Sequence, residues 1–222
     1  MKRKLEHKGR YLQIAFNYDM SLVRKILPTI PEHPNIFIEA GTPFIKREGM
    51  HGIQQMRRMW HGHIVADMKI TDGAILEVDM ARQAGADAVT VMGSSPTETV
   101  EIFIEHCQQH SMISMVDMLG VEDPLDVLRP LSTIPDVVVL HLGRGEENTR
   151  GKMIQYRHVN RIHSKFDSLI SAAGGVGLKE ARSAIFNGAN IVVANLVRPG
   201  DPWRGISTHD SISNITQEFL NT

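Results

Sequence analysis

Short apolar runs recur along this chain at regular intervals: Tyr11–Phe16, Asn35–Ile38, Ile64–Ala66, Ala88–Val91, Met112–Val116, Val137–Leu140, Leu169–Ala172 and Ile191–Ala194. The runs are continuous rather than alternating, as expected of strands buried on both faces. Between them the apolar spacing is helical. From Gly73 to Ala84, Ile75, Val78 and Met80–Ala81 fall on about one face. Pro96 opens the next helix at its first position, with Ser95 as its cap. Leu178-Lys179-Glu180-Ala181-Arg182 starts another, which Asn187-Gly188 ends. Strands alternating with helices predict right-handed βαβ units and a parallel sheet. Eight such units in 222 residues predict an α/β chain folded as a single-domain (β/α)8 TIM barrel over residues 1–222. An open doubly wound sheet is the alternative.

Composition narrows the function classes. Lys plus Arg number 24 and Asp plus Glu 25, so the balance gives no reason to expect nucleic acid or a membrane surface as partner. No apolar run approaches the ~18 residues of a membrane helix. The basic start Met1-Lys2-Arg3-Lys4 leads into no apolar stretch, so no signal peptide is expected. The one cysteine, Cys107, excludes an internal disulfide, and a cytoplasmic location is the expectation. Its helical surroundings read as those of a buried structural thiol, and the methionines as core filling.

In barrels of this kind the chemistry sits at the C-terminal ends of the strands. Here those ends carry Asn17, Glu39, Asp67 with Lys69, the stretch Met92-Gly93-Ser94, Asp117, His141, Gly174-Gly175 and Asn195, in strand order. Asp67 and Lys69 are two apart and face the same side of an extended chain. With Asp72 on the following turn, two carboxylates would keep the ammonium charged and aimed. Such a lysine can donate a proton to a carbanion or stabilise an enediolate. Glu39 beside Asp67 offers carboxylate oxygens suited to Mg²⁺. Arg144, three residues after His141, suits an anionic or oxygen-rich ligand. Gly174-Gly175 offers bare backbone to a phosphate. His61 and His63 read as a solvated loop at the opposite rim, and His158 with His163 fits no ligand spacing.

These residues resemble the orotidine 5′-phosphate decarboxylase superfamily, and in particular its sugar-phosphate branch of 3-hexulose-6-phosphate synthase and 3-keto-L-gulonate-6-phosphate decarboxylase. The resemblance rests on Gln13-Ile14-Ala15, Glu39-Ala40-Gly41-Thr42-Pro43, Ala66-Asp67-Met68-Lys69-Ile70-Thr71-Asp72, Met115-Val116-Asp117, His141-Leu142-Gly143-Arg144 and Ala173-Gly174-Gly175. It implies a Mg²⁺-dependent lyase working through a metal-stabilised 1,2-enediolate, with Glu39 and Asp67 on the metal. It implies Lys69 and His141 as catalytic groups, Arg144 and Asp117 near the substrate, and a homodimer in which Asp72 reaches the partner's site. Orotidine 5′-phosphate decarboxylase is the alternative activity, although Asp72 is followed by Gly73-Ala74 rather than Ile-Pro. A non-catalytic sugar-phosphate-binding relative is the alternative of another class. Two departures motivate it. Asn17 stands where the branch carries aspartate, and Ala194-Asn195 where it carries Gly-Arg, leaving Arg198 or Arg204 to reach a phosphate.

Overall fold

The apolar runs become strands that close on themselves. The computed structural model describes residues 5–147, 149 and 153–220. Its strands are β1 (Tyr11–Phe16), β2 (Ile36–Ala40), β3 (His63–Ile70), β4 (Ala88–Met92), β5 (Ile113–Asp117), β6 (Val137–His141), β7 (Leu169–Ala173) and β8 (Ile191–Val197). Each pairs in parallel with the next, and β8 pairs in parallel with β1. That last pairing makes a closed eight-stranded barrel and excludes the open sheet. The helices are α1 (Met20–Ile26), α2 (Thr42–Met59), α3 (Ala74–Gln83), α4 (Thr97–Gln109), α5 (Pro124–Leu128), α6 (Arg157–His163), α7 (Leu178–Phe186) and α8 (Ile212–Leu220). A short ninth strand, β9 (Ile206–Ser207), pairs with the outer end of β8. Among the described residues no helix is long and apolar enough to cross a membrane.

Two apolar cores result. The larger lies between barrel and helices, and the smaller fills the barrel interior with Tyr11, Ala15, Phe37, Val65, Ile113, Val139, Leu169 and Val193 among others. Side chains alternate across a strand, so the same inward-facing period that delivers these residues delivers polar ones near the C-terminal mouth. Inside β1 that period runs Tyr11, Gln13, Ala15, and inside β5 it runs Ile113, Met115, Asp117. The barrel is therefore packed below and chemically functional above.

Several local expectations are corrected. His63 is not in a solvated loop: it begins β3, is buried, and packs edge-on against Phe37, which stacks on Tyr11. His61 alone is exposed, paired with Glu32. On α3 the buried stripe is Ala74, Val78 and Ala81, whereas Ile75 and Met80 are 53% and 40% exposed. A helix advances ~100° per residue, so positions one and six past Ala74 turn away from its buried line. Ser95 does not cap α4. Its hydroxyl donates to the Ile70 carbonyl, and Pro96 takes the capping position. Cys107 is buried, as expected.

Candidate active site

A cavity of about 230 Å³ opens at the C-terminal mouth, lined by Gln13, Asn17, Glu39, Asp67, Lys69, Asp117, His141, Arg144, Gly174 and Asn195 among others. Its floor is built around an irregularity in β3. Between the pairs Ala66↔Val89 and Ile70↔Val91, β3 advances four residues against two on β4. The two extra residues form a bulge, a device that re-aims side chains at barrel rims. Lys69 takes a left-handed φ of 50°, and its backbone N–H donates to Thr90 Oγ1 at 2.9 Å. Asp67 and Lys69 thereby meet in the cavity, with Lys69 Nζ 3.1 Å from Asp67 Oδ1.

The second carboxylate on Lys69 is Asp117, not Asp72. Lys69 Nζ donates to Asp117 Oδ2 at 2.6 Å. Asp117 is 2% exposed, and it also accepts from His141 Nδ1 at 2.9 Å and from the Leu119 N–H at 2.9 Å. That bond commits His141 Nδ1 as donor and leaves Nε2 for the cavity. Asp72 is exposed, accepts from the Gly73 N–H, and lies at the start of α3 outside its own cavity.

Asp67 is held from two neighbouring elements, α2 and β4. Thr42 Oγ1 donates to its Oδ2 at 2.7 Å and Thr90 Oγ1 to its Oδ1 at 3.0 Å, while the first turn of α2 faces the same carboxylate. A helix N-terminus favours such an anion. This explains Gly41-Thr42-Pro43: proline fits the helix start, and a side chain at Gly41 would place its Cβ 2.2 Å from Asn17 Oδ1. Glu39 is buried and accepts from Gln13 Nε2 at 2.5 Å.

The charges shift one another in understandable directions. Burial, then the Asp67 charge, pushes the Glu39 carboxyl up to about 7. Burial works against charge on Lys69, but Asp67 and Asp117 outweigh it and hold the ammonium protonated. Burial also opposes the Asp117 charge, yet His141 and Lys69 hold that carboxyl below the usual range. For His141 burial favours the neutral ring, but Asp117 prevails and raises its pKa. Glu39 and Asp67 form an all-oxygen donor pair whose mutual repulsion a hard divalent cation would relieve, so the residues fit Mg²⁺.

Across the mouth, Asn17 Nδ2 donates to Asn195 Oδ1 at 2.9 Å, joining the two positions that depart from the family pattern. Arg144 lines the cavity, its guanidinium 5.5 Å from the Trp203 ring. Gly174 also lines it, with φ 95°, and a Cβ there would lie 1.9 Å from the Leu142 carbonyl oxygen. Gly175 follows with φ 62° but stands behind the lining. Arg198 is not brought in: it is exposed, lies over Tyr18 and pairs with Asp19 at 3.1 Å.

Four polar lining residues were not singled out from the sequence as site residues. Gln13, Thr42 and Thr90 sit inside recognisable strand or helix starts. Glu147 gave no signal, because it belongs to the irregular segment after β6. It is 5% exposed, accepts from the Arg204 N–H at 3.2 Å through Oε2, and has Oε1 buried without a hydrogen bond.

A closed (β/α)8 barrel with a lysine clamped between carboxylates at its C-terminal mouth defines a barrel of the enzyme type. Over residues 10–194 the chain matches the Orotidine 5′-phosphate decarboxylase / HUMPS family, and it belongs to that family. The Bifunctional enzyme Fae/Hps of Methanothrix thermoacetophila is 36% identical over 213 residues, covering 95% of this chain and 52% of the relative. The chain thus spans about half the length of the curated relatives it matches. A crystal structure of 3-hexulose-6-phosphate synthase superposes with a TM-score of 0.72 at 28% identity, covering 95% of this chain and 98% of that one. The 3-keto-L-gulonate-6-phosphate decarboxylase of Vibrio cholerae gives 0.67 at 18% identity, over 96% and 98% of the two chains, a likeness of fold.

Proposed function

We propose that this chain is a Mg²⁺-dependent carbon–carbon lyase acting on a ketose phosphate through a 1,2-enediolate, with the aldol addition of formaldehyde to ribulose 5-phosphate as its reaction. The observation that carries the reading is Lys69 held between Asp67 and Asp117, with His141 bonded to the same Asp117 carboxylate. Likeness to a 3-hexulose-6-phosphate synthase structure at 28% identity favours this reaction over decarboxylation of orotidine 5′-phosphate.

Glu39 and Asp67 would hold Mg²⁺, which when bound supplies positive charge for the vicinal oxygens of the ketose. His141 Nε2, oriented by the Nδ1 bond to Asp117, takes the proton from C1 of the ketose. The electron pair released forms the new bond from C1 to the formaldehyde carbon. The formaldehyde oxygen, now an alkoxide, takes the proton back from His141. Lys69 keeps one N–H beyond those given to Asp67 and Asp117, and offers it to the developing oxyanion. Arg144 and the Gly174 turn receive the phosphate end, and Asn17 with Asn195 the intervening hydroxyls.

The active unit is a homodimer with shared sites. Ile75 and Leu76 in the first turn of α3, 53% and 68% exposed, form an uncovered apolar face beside Asp72. Covering that face with a second copy would carry Asp72 toward the partner's mouth.

The test mixes ribulose 5-phosphate, formaldehyde and Mg²⁺ with the full chain and follows formaldehyde consumption. Turnover lost in Lys69→Ala supports the reading, and turnover no greater than that variant's sinks it. Mixed Lys69→Ala and Asp72→Ala subunits recover part of the activity if sites are shared. No recovery in a proven mixed dimer removes that part.

A further inference from the structure

Away from the mouth, the outer helices gather three side chains that the reaction above does not use. His106 and His110 stand four residues apart at the C-terminal end of α4 and share a face, their ring centroids 4.5 Å apart. The neighbouring α3 brings Asp79 to the same place, with Oδ1 3.4 Å from His106 Nε2. One ligand atom from each of the three lies within 4.8 Å of the other two. Among the described residues it is the one group of three His, Cys, Asp or Glu side chains that close.

We propose that Asp79, His106 and His110 form a second metal site, for a divalent transition-metal ion of the zinc class, which ties α3 to α4 on the outside of the barrel. Two imidazoles and one carboxylate are borderline ligands that select Zn²⁺ over the hard Mg²⁺. Histidines four apart on one helix face are a spacing that holds zinc. Bonds of ~2.0–2.1 Å in a tetrahedral arrangement set ligand atoms roughly 3.3–3.4 Å apart, so the trio needs to close by about 1.5 Å or less. Exposed His110 can make most of that movement by rotating its side chain, while His106, 13% exposed, is already fixed. Arg82 is the competing cation, 3.3 Å from Asp79 Oδ1 and 41% exposed. A metal displaces it to solvent at little cost, since such surface pairs contribute little. Water fills the fourth position.

The site sits toward the C-terminal ends of its helices, whereas the barrel mouth lies at their N-terminal ends. The metal therefore acts on the scaffold. It links the helix that follows β3, the strand of Asp67 and Lys69, to the helix that follows β4, the strand of Thr90.

The experiment titrates chelator-stripped full chain with Zn²⁺ by calorimetry in excess Mg²⁺, which occupies oxygen-rich sites. One Zn²⁺ per chain with micromolar affinity is expected, and at about 100 times Kd the Tm rises by roughly 5–10 °C. Co²⁺ in place of Zn²⁺ gives the visible absorption of a tetrahedral nitrogen–oxygen site. His110→Ala and Asp79→Asn each weaken binding at least about tenfold, while Glu39→Gln leaves it unchanged. His110 is exposed, so its loss spares the fold, which circular dichroism verifies. Absence of Zn²⁺ binding, or binding equal in His110→Ala, overturns the proposal. Loss of Zn²⁺ in Glu39→Gln instead assigns the ion to the barrel mouth and overturns it as well.

Discussion

Replacing Asp117 by asparagine removes one charge from the centre of the site without changing its shape. Asp117 is 2% exposed and joins Lys69 at 2.6 Å to His141 at 2.9 Å. Breaking a buried ion pair by removing one partner costs about 3–5 kcal/mol, most of it from the charge left behind. Here the stranded lysine keeps Asp67 at 3.1 Å and is 21% exposed, so the lower end, about 3 kcal/mol, applies. For a chain of this size that corresponds to a Tm lower by roughly 6–12 °C. The histidine responds in a definite direction. Burial lowers its pKa and Asp117 raises it by more, with Asp67 adding a smaller lift, so removing the Asp117 carboxylate lowers the pKa. The assay is urea denaturation combined with NMR titration of the His141 ring, assigned through His141→Gln. Unchanged stability together with an unmoved His141 titration would refute the claim that Asp117 links the two groups.

Three further outcomes follow from the same geometry. Gly174→Ala forces a left-handed residue and a Cβ 1.9 Å from the Leu142 carbonyl oxygen, so it should cost at least about 3 kcal/mol in urea denaturation; a loss below ~1 kcal/mol contradicts that backbone. In the proposed reaction proton return needs His141 protonated and proton removal needs it neutral, and its folded pKa is raised. The pH optimum of kcat therefore lies above the ordinary histidine value of ~6.5, and an optimum below it contradicts the assignment; as the folded pKa is the higher, the stability that protonated His141 contributes is complete below ~6.5 and is lost as pH rises through the raised value. Glu147→Gln removes a buried carboxylate whose Cγ lies 3.3 Å from where a Gly175 Cβ would be, so the KM for ribulose 5-phosphate should fall about fivefold with kcat kept, for ~1 kcal/mol of repulsion relieved; a raised KM would put sugar hydroxyls, not phosphate, at that end.

Much of the barrel was legible because its signal is simple. Strands buried on both faces read as continuous apolar runs, and their spacing leaves room for one helix each. The strand-end residues Glu39, Asp67, Lys69, Asp117 and His141 were legible for the same reason, since a polar residue ending such a run reaches the mouth. Which of them touch was not. That Lys69 lies between Asp67 and Asp117 depends on the two-residue bulge in β3 and the β4–β5 register Met92↔Asp117, neither of which has a local pattern. Proximity in sequence favoured Asp72 instead, which is exposed and accepts from the Gly73 N–H at the start of α3. Ile75 and Met80 were placed on one face with Val78 and Ala81 because all four are apolar, but the helix buries only Ala74, Val78 and Ala81 and leaves the other two exposed. Glu147 lay beyond reach, because an irregular segment has no period from which to infer where a side chain goes.

The most direct test of the central claim omits formaldehyde altogether. If His141 moves a proton at C1 of the ketose while Lys69 and Mg²⁺ steady the enediolate, the protein incubated with ribulose 5-phosphate and Mg²⁺ in D₂O exchanges one C1 hydrogen, seen as loss of its proton NMR signal. The account predicts exchange in the wild-type chain, at least about a hundredfold less in His141→Gln and Lys69→Ala, and none without a divalent cation. Absence of exchange in the wild type, or exchange at the same rate in both variants, would contradict it.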